Sequence, residues 1–410
     1  MDEDAQSEYP TLVICSGELV EQVRPYTAST RTITESEVKV AHPYNSNKTI
    51  FTFSQATPTS VQHIGFAAGP FHVLPISAGD VTGDDPGNSL QPLMHAFCLP
   101  GRETQLAASV PFVRQAMTFF TTEFGSYPFG SHKFVFVDEL SMLRFDTSGI
   151  TIASVDLLHG EDAIDQVYET RQSLSHALAC QWVGINILPK TWSDLWLVNG
   201  LGLYITGLFL RKLLGNNEYR FRLKKDMERV VEWDQGAMPP VCQPQIQDPP
   251  DSAVLPFVNL KSPLVLHILD RRLCKSGTSL GLSRVLPKLF LSAISGELQN
   301  NTLSTSHFLR TCRKVSGADL TSFADQWIYG SGCPTFGFSA SFNRKKMAVE
   351  ITMRQDAPAW KGYEHDEVRR TLLNPVSFFE VWLFTTVHHS CVTDDLSVVL
   401  SLGSNDYSHP

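Results

Sequence analysis

The sequence predicts an α+β multidomain chain: a β-rich N-terminal segment, a mostly helical middle and a C-terminal β portion. Three observations carry this. Residues 11–80 are short Val/Ile/Thr/Phe runs broken by turn residues. From Glu169 to Ser316, capped helical patterns follow one another. After QWIYGSGCPTFGF, strict alternation returns. At 410 residues, with 42% hydrophobic and 18% charged side chains, the chain exceeds one ordinary core and suits a compact globule.

Taken in order, TLVICSGELVEQV, RTITESEVKV, TIFTFSQ and HIGFAAGPFHVLPI read as strands, and SAGDVTGDDPGNSLQP as a linker. RQAMTFFTTEFGSYPFG is a helix with a Gly/Pro stop, followed by the strands HKFVFVDEL and GITIASVDLL. Ser193-Asp194 is expected to start a helix that ends at Lys212 and Gly215, with the acidic turn and the terminal cation matching its dipole. Its apolar run, Leu195 to Leu210, lies between Asp194 and Arg211. It falls short of the roughly 18 residues of a membrane span, so a core helix is expected and no membrane partner.

Asn217-Glu218 starts an amphipathic helix whose apolar positions Tyr219, Leu223, Met227 and Val230/Val231 recur every three or four residues. Ser262-Pro263 is expected to open another, with proline at the first helical position. DQGAMPPVCQPQIQDPPD is too rich in proline for either regular element. FGFSASF and MAVEITMRQ flank Asn343-Arg-Lys-Lys346, a hairpin with a basic turn. The expected domains are residues 1–90, 91–333 and 334–410.

The formal charge of −9 gives no overall pull toward nucleic acid or anionic lipid, so any such contact is local. Arg344, Lys345 and Lys346 are the best local phosphate contacts, although three cations at a hairpin tip are more often just a solvated turn. Eight cysteines without a C-x-x-C pair argue for reduced thiols rather than a zinc ribbon or a disulfide framework. The acidic N-terminus lacks the basic and apolar regions of a secretory signal.

One stretch bears on chemistry. In an H-E-x-x-H helix, histidines at i and i+4 share a zinc ion and the glutamate deprotonates the metal-bound water. Here SHALACQWVG keeps His176 but has Ala177 at the base position and Cys180 at the second ligand position. Eighteen residues separate Cys180 from Asn199, which stands in TWSDLWLVNG. A methyl group accepts no proton, an amide is a poor zinc donor, and two side chains are too few ligands. His176 and Cys180 are therefore expected to fill core, with no metal and no cofactor.

HALACQWVG and TWSDLWLVNG resemble, at the proper spacing, the zinc motif of the M1 aminopeptidase family, with Asn199 where that family has a ligand glutamate. The resemblance implies a thermolysin-like pseudo-peptidase domain over 91–333 and part of a β-sandwich after it. It also places Asn259 at the family's transition-state tyrosine and Leu143–Thr147 at its amine-holding segment, where only Asp146 stays acidic. The longer runs CSGELVEQV, GFAAGPFHVLP, FADQWIYGSGCPTFGFSASFNRKKM and YEHDEVRRTLLNPVSFFE are most similar to the non-catalytic, TBP-associated branch of the family that serves in the general transcription factor TFIID.

That likeness covers about residues 10–380. It implies a nuclear scaffold without catalysis that meets other TFIID subunits and core-promoter DNA. It also implies that most of a first β domain and a later helical-repeat region are missing. The tail from Val381, with His388, His389 and Cys391, no longer follows the family and reads as a truncated or mis-spliced end. The rival expectations are an active zinc aminopeptidase with an altered site and a dead peptidase that still captures peptide ends.

Overall fold

The structure, a computed structural model, describes residues 11–23, 49–77, 92–236, 238–275, 281–333, 335–345, 348–356 and 396–400. The chain forms two compact units: Met1–Lys190 with Leu197–Tyr219 and Ser283–Thr305, and Thr191–Trp196 with Arg220–Leu282 and Ser306–Pro410.

The first unit is built on a five-stranded mixed sheet. Its strands are β5 (His72–Pro75), β6 (Leu93–Cys98), β7 (Ser131–Val137), β8 (Arg144–Thr147) and β9 (Ile150–Ser154), in the order β5-β6-β7-β9-β8. β6, β7 and β9 run parallel, and the two edge strands are antiparallel to their neighbours. The central β7 is covered on both faces, which is why Phe134-Val135-Phe136 reads as an unbroken apolar run rather than an alternating one. The boundary expected after residue 90 falls between β5 and β6, adjacent strands of this one sheet. HIGFAAGPFHVLPI divides at Gly69-Pro70 into β4 (Phe66–Gly69) and β5, which pair in different sheets.

β4 pairs antiparallel with β1 (Leu12–Cys15), and β2 (Glu18–Val23) with β3 (Ile50–Ser54). Ile14 of β1 and Phe71 pack on Phe97, Val135 and Ile150, with Ala67 of β4 against them, so β1 and β4 share a core with the central sheet. The expected strand RTITESEVKV lies outside the described residues, as does most of the linker that follows β5.

Helices α1 (Glu103–Ser109) and α2 (Phe112–Phe124) connect β6 to β7. Phe120 of α2 lies 5.7 Å from Trp182 of α3 (Asp165–Trp182) and 5.8 Å from Phe209 of α4 (Leu195–Leu214), ring centre to ring centre. By length and composition, Trp192–Leu214 could cross a membrane, but 56% of its most apolar window is buried in the fold. Leu197, Leu201, Ile205 and Phe209 make it a core helix. Its start differs from the expected Ser193: Thr191 opens a 3₁₀ turn, and Asp194 accepts bonds from the Thr191 N–H and hydroxyl, so Thr191 is the cap and Asp194 its capping-box partner. Gly215, at φ 93°, closes it as expected.

In the second unit, α5 (Asn216–Trp233) turns Leu223, Met227 and Val230 onto Phe257 and Leu264 of α6 (Leu255–Lys275). Val231 stays exposed. α6 does not begin at Ser262-Pro263. It starts at Leu255, because Asp251 accepts from the Ala253 N–H with its carboxylate and from the Leu255 N–H with its carbonyl. Pro263 sits inside the helix, and the Ser262 hydroxyl donates to the Val258 carbonyl one turn back. Helix α7 (Thr305–Ser316) and a short turn over Thr321–Ile328 precede the C-terminal sheet.

β10 (Thr335–Asn343) and β11 (Ala348–Asp356) form the expected hairpin with Asn343 opposite Ala348, and β12 (Leu396–Leu400) adds antiparallel to β11. Among the described residues, the C-terminal portion is this single three-stranded sheet.

Candidate functional site

The degenerate motif lies on α3, whose second half is anchored by Gln181. Its amide donates to the Thr147 carbonyl at 3.1 Å, and its oxygen accepts from the Gly149 N–H at 3.0 Å and the Tyr127 hydroxyl at 3.2 Å. The turn between β8 and β9 is thereby pinned to the helix. Three residues before Gln181, at Leu178, the chain is fully buried, and Ala177 places its methyl in the same interior.

His176 and Cys180, one turn apart on α3, are half-buried. Both face Arg144 of β8. Residues 144 and 146 share one side of that strand by its two-residue period, while Phe145 points the other way and is exposed. Arg144 donates through Nη2 to His176 Nδ1 at 2.6 Å, through Nε to Asp146 Oδ2 at 2.8 Å and through Nη1 to the Ser173 carbonyl at 2.8 Å, and its charge stands close enough to the Cys180 thiol to act on it. A guanidinium can only donate, so Nδ1 is the acceptor and the His176 imidazole is neutral with its proton on Nε2.

Asp146 is fully engaged: Thr151 donates to its second oxygen at 3.1 Å. Beyond Thr151, His132 is wholly buried and reaches the Tyr127 hydroxyl at 2.8 Å. Because that hydroxyl donates to Gln181, it accepts from His132 Nδ1.

The charges follow from these surroundings. Burial, reinforced by Arg144, holds His176 well below the usual imidazole range. Burial and the neighbouring Lys133 lower His132 to about 3. Burial and Asp146 push the Cys180 thiol up to about 12, with Arg144 only partly opposing them. Burial works against the Arg144 charge, but Asp146 and Cys180 outweigh it and raise its pKa. At neutral pH the cluster therefore holds one cation, one carboxylate, two neutral imidazoles and a protonated thiol.

A pH prediction follows. His132 and His176 bind protons more weakly folded than at the free value of 6.5, so between that pH and their folded values the unfolded chain carries more protons. Stability is full above about pH 6.5 and falls below it, with a limiting slope of about 1.4 kcal/mol per pH unit for each histidine. Urea unfolding from pH 7.5 to 5 measures this, and His132→Gln is expected to remove one proton from the slope.

These residues do not suit a zinc ion. The imidazole nitrogen turned to the cluster is taken by a cation, the thiol is protonated, and Asn199 offers only an amide. Among the described residues, no three His, Cys, Asp or Glu side chains are grouped to hold a metal. Asn199 is half-buried on α4 one turn before Gly202, where an added Cβ would lie 3.3 Å from His176 Nε2. Asn259 is half-buried on α6 of the second unit. Arg344 and Lys345 are exposed in the hairpin turn, and Lys346 lies outside the described residues, as do His388, His389 and Cys391.

Sequence reasoning missed Arg144, Thr151, His132, Tyr127 and Gln181. The Arg-x-Asp spacing on a strand was the available signal for the first, since it puts a cation and its anion on one face.

Comparison with known proteins bears on the family of the whole chain. The model of the peptidase family M1 domain matches residues 109–327, more than half of the chain. The chain is 44% identical over 353 residues to transcription initiation factor TFIID subunit 2 of Schizosaccharomyces pombe, a match that covers 86% of this chain and 29% of that protein. It is 34% identical over 364 residues to the same subunit of Saccharomyces cerevisiae, covering 80% of this chain and 25% of that protein. The chain thus spans less than a third of the length of these curated relatives. Its fold is similar to that of Legionella pneumophila aminopeptidase A, crystallised with aspartic acid, at a TM-score of 0.61 and 14% identity over 85% of this chain and 36% of that one. With the family model matched over more than half of its length, this chain belongs to peptidase family M1.

Proposed function

We propose that this chain is the peptidase-like part of a TFIID subunit: a non-catalytic scaffold for assembly of the RNA polymerase II preinitiation complex in the nucleus. It meets other TFIID subunits and core-promoter DNA there. The similarity to the two yeast subunits supports the setting. The loss of catalysis is supported chiefly by the 2.6 Å bond from Arg144 to His176, which puts a fixed cation against the one zinc-type ligand the motif retains. Ala177 adds that no base stands beside it to deprotonate water.

Affinity purification of the tagged, full-length protein from nuclear extract tests this reading. The other TFIID subunits are expected at comparable amounts, and their absence would sink it. Arg344, Lys345 and Lys346 are the proposed DNA contacts. Reversing their charges is expected to weaken promoter binding and to lower the dependence on log salt by about one unit per lost phosphate contact. Unchanged binding by gel shift across salt concentrations would remove the turn from the interface.

A further inference from the structure

The bonds of Arg144 have the topology of a metal cross-link. One positive charge on strand β8 gathers an imidazole nitrogen, a carboxylate oxygen and the carbonyl of Ser173, with the Cys180 thiol one helical turn beyond the imidazole. Ser173, His176 and Cys180 are spaced at i, i+3 and i+7, so the cluster spans two turns along one face of α3. Arg144 and Asp146 keep only 15% of their side-chain surface.

We propose that the Arg144 guanidinium is the resident cation of this pocket: it takes the place of a divalent metal in tying α3 to β8, and by sitting there it keeps divalent metals out. The inference deepens the non-catalytic reading and rests on it. A second cation bound at His176 or Cys180 would stand a few ångströms from a charge that cannot be titrated away, and in a half-buried pocket that repulsion is poorly screened. The planar fork of five N–H donors explains why arginine fills the role. A lysine ammonium has three donors on a single atom and cannot reach strand partner, helix carbonyl and imidazole together. The guanidinium's own width also accounts for the donors not forming a metal-holding group as they stand. Once it is removed, His176, Cys180 and Asp146 face a common gap.

The test compares the parent chain with Arg144→Ala, using cobalt(II) as the probe, followed by its near-ultraviolet sulfur-to-metal band and by the thermal midpoint. The parent is expected to show neither band nor shift. Without metal, Arg144→Ala is expected to melt roughly 5–15 °C lower, because Asp146 loses its cation. Cobalt should then restore part of that loss and give a stoichiometric band that Cys180→Ser abolishes. Arg144→Ser keeps His176, Cys180 and Asp146 and leaves a hydroxyl that can donate toward the Asp146 carboxylate. It serves where the alanine variant does not fold, and the same band is expected from it.

A folded variant without the band, or a parent that binds cobalt equally well, would overturn the proposal. A parent that hydrolyses aminoacyl substrates would refute the non-catalytic reading. A catalytically silent parent whose arginine-free variants also ignore cobalt would refute this inference alone.

Discussion

Lys261→Met is expected to destabilise the second unit by about 3–5 kcal/mol, lowering its thermal midpoint by roughly 6–20 °C. Lys261 Nζ donates to Asp234 Oδ2 at 2.7 Å, with the carboxylate fully buried and the lysine side chain 8% exposed. Asp234 immediately follows α5, where its negative charge meets the negative end of the helix dipole, so the fold depends on a compensating cation. Lys261 supplies it from α6, its ammonium also lying 5.4 Å from the Phe257 ring centre. The second oxygen of Asp234 has no hydrogen-bond partner, and besides the lysine only the Cys333 thiol, a weak donor 4.0 Å from the first oxygen, stands by the carboxylate among the described residues. Removing the lysine strands a buried charge. Removing both charges, as Lys261→Met/Asp234→Leu, is expected to recover most of the loss, because desolvating the pair offsets much of its attraction. Urea unfolding of the three proteins checks both steps, and a single variant within 1 kcal/mol of the parent, about the worth of an exposed pair, would contradict the burial argument.

Gln181→Ala is expected to cost roughly 3–5 kcal/mol in the first unit. One amide satisfies the Thr147 carbonyl, the Gly149 N–H and the Tyr127 hydroxyl, all inside the protein; alanine takes this partner from the carbonyl and the N–H and leaves the hydroxyl proton without its acceptor, with only the His132 contact remaining. The effect should reach the degenerate motif. Tyr127 orients His132, and the turn that Gln181 pins carries β8 with Arg144 and Asp146. Gln181→Glu keeps the acceptor but buries a charge and loses the donor, so it should rescue little. Hydrogen exchange at Gly149 and Thr151 reads the local loosening separately from global stability.

How much of this was legible in the sequence depended on whether neighbours along the chain decide the matter. That His176 and Cys180 share a face followed from helical spacing, the place of Asn199 from the resemblance to the M1 motif, and the hairpin around Arg344 from alternation and turn chemistry. The start of α6 was hidden because Asp251 lies in a proline-rich stretch, whose composition says loop although its side chain caps a helix. Asp146 was noticed as the residue that stays acidic in its segment. What occupies it was not, since strand periodicity tells which residues share a face but not what a distant helix brings opposite. The same holds for His132, whose buried ring is explained only by Tyr127 and Thr151. Long-range packing decided these points.

Metal analysis of the purified chain, combined with a fluorogenic aminoacyl substrate, addresses the central claim most directly. The account predicts substoichiometric zinc and no turnover above the uncatalysed background, with His176→Ala indistinguishable from the parent. One retained zinc per chain, with release of N-terminal amino acids that His176→Ala abolishes, would contradict it.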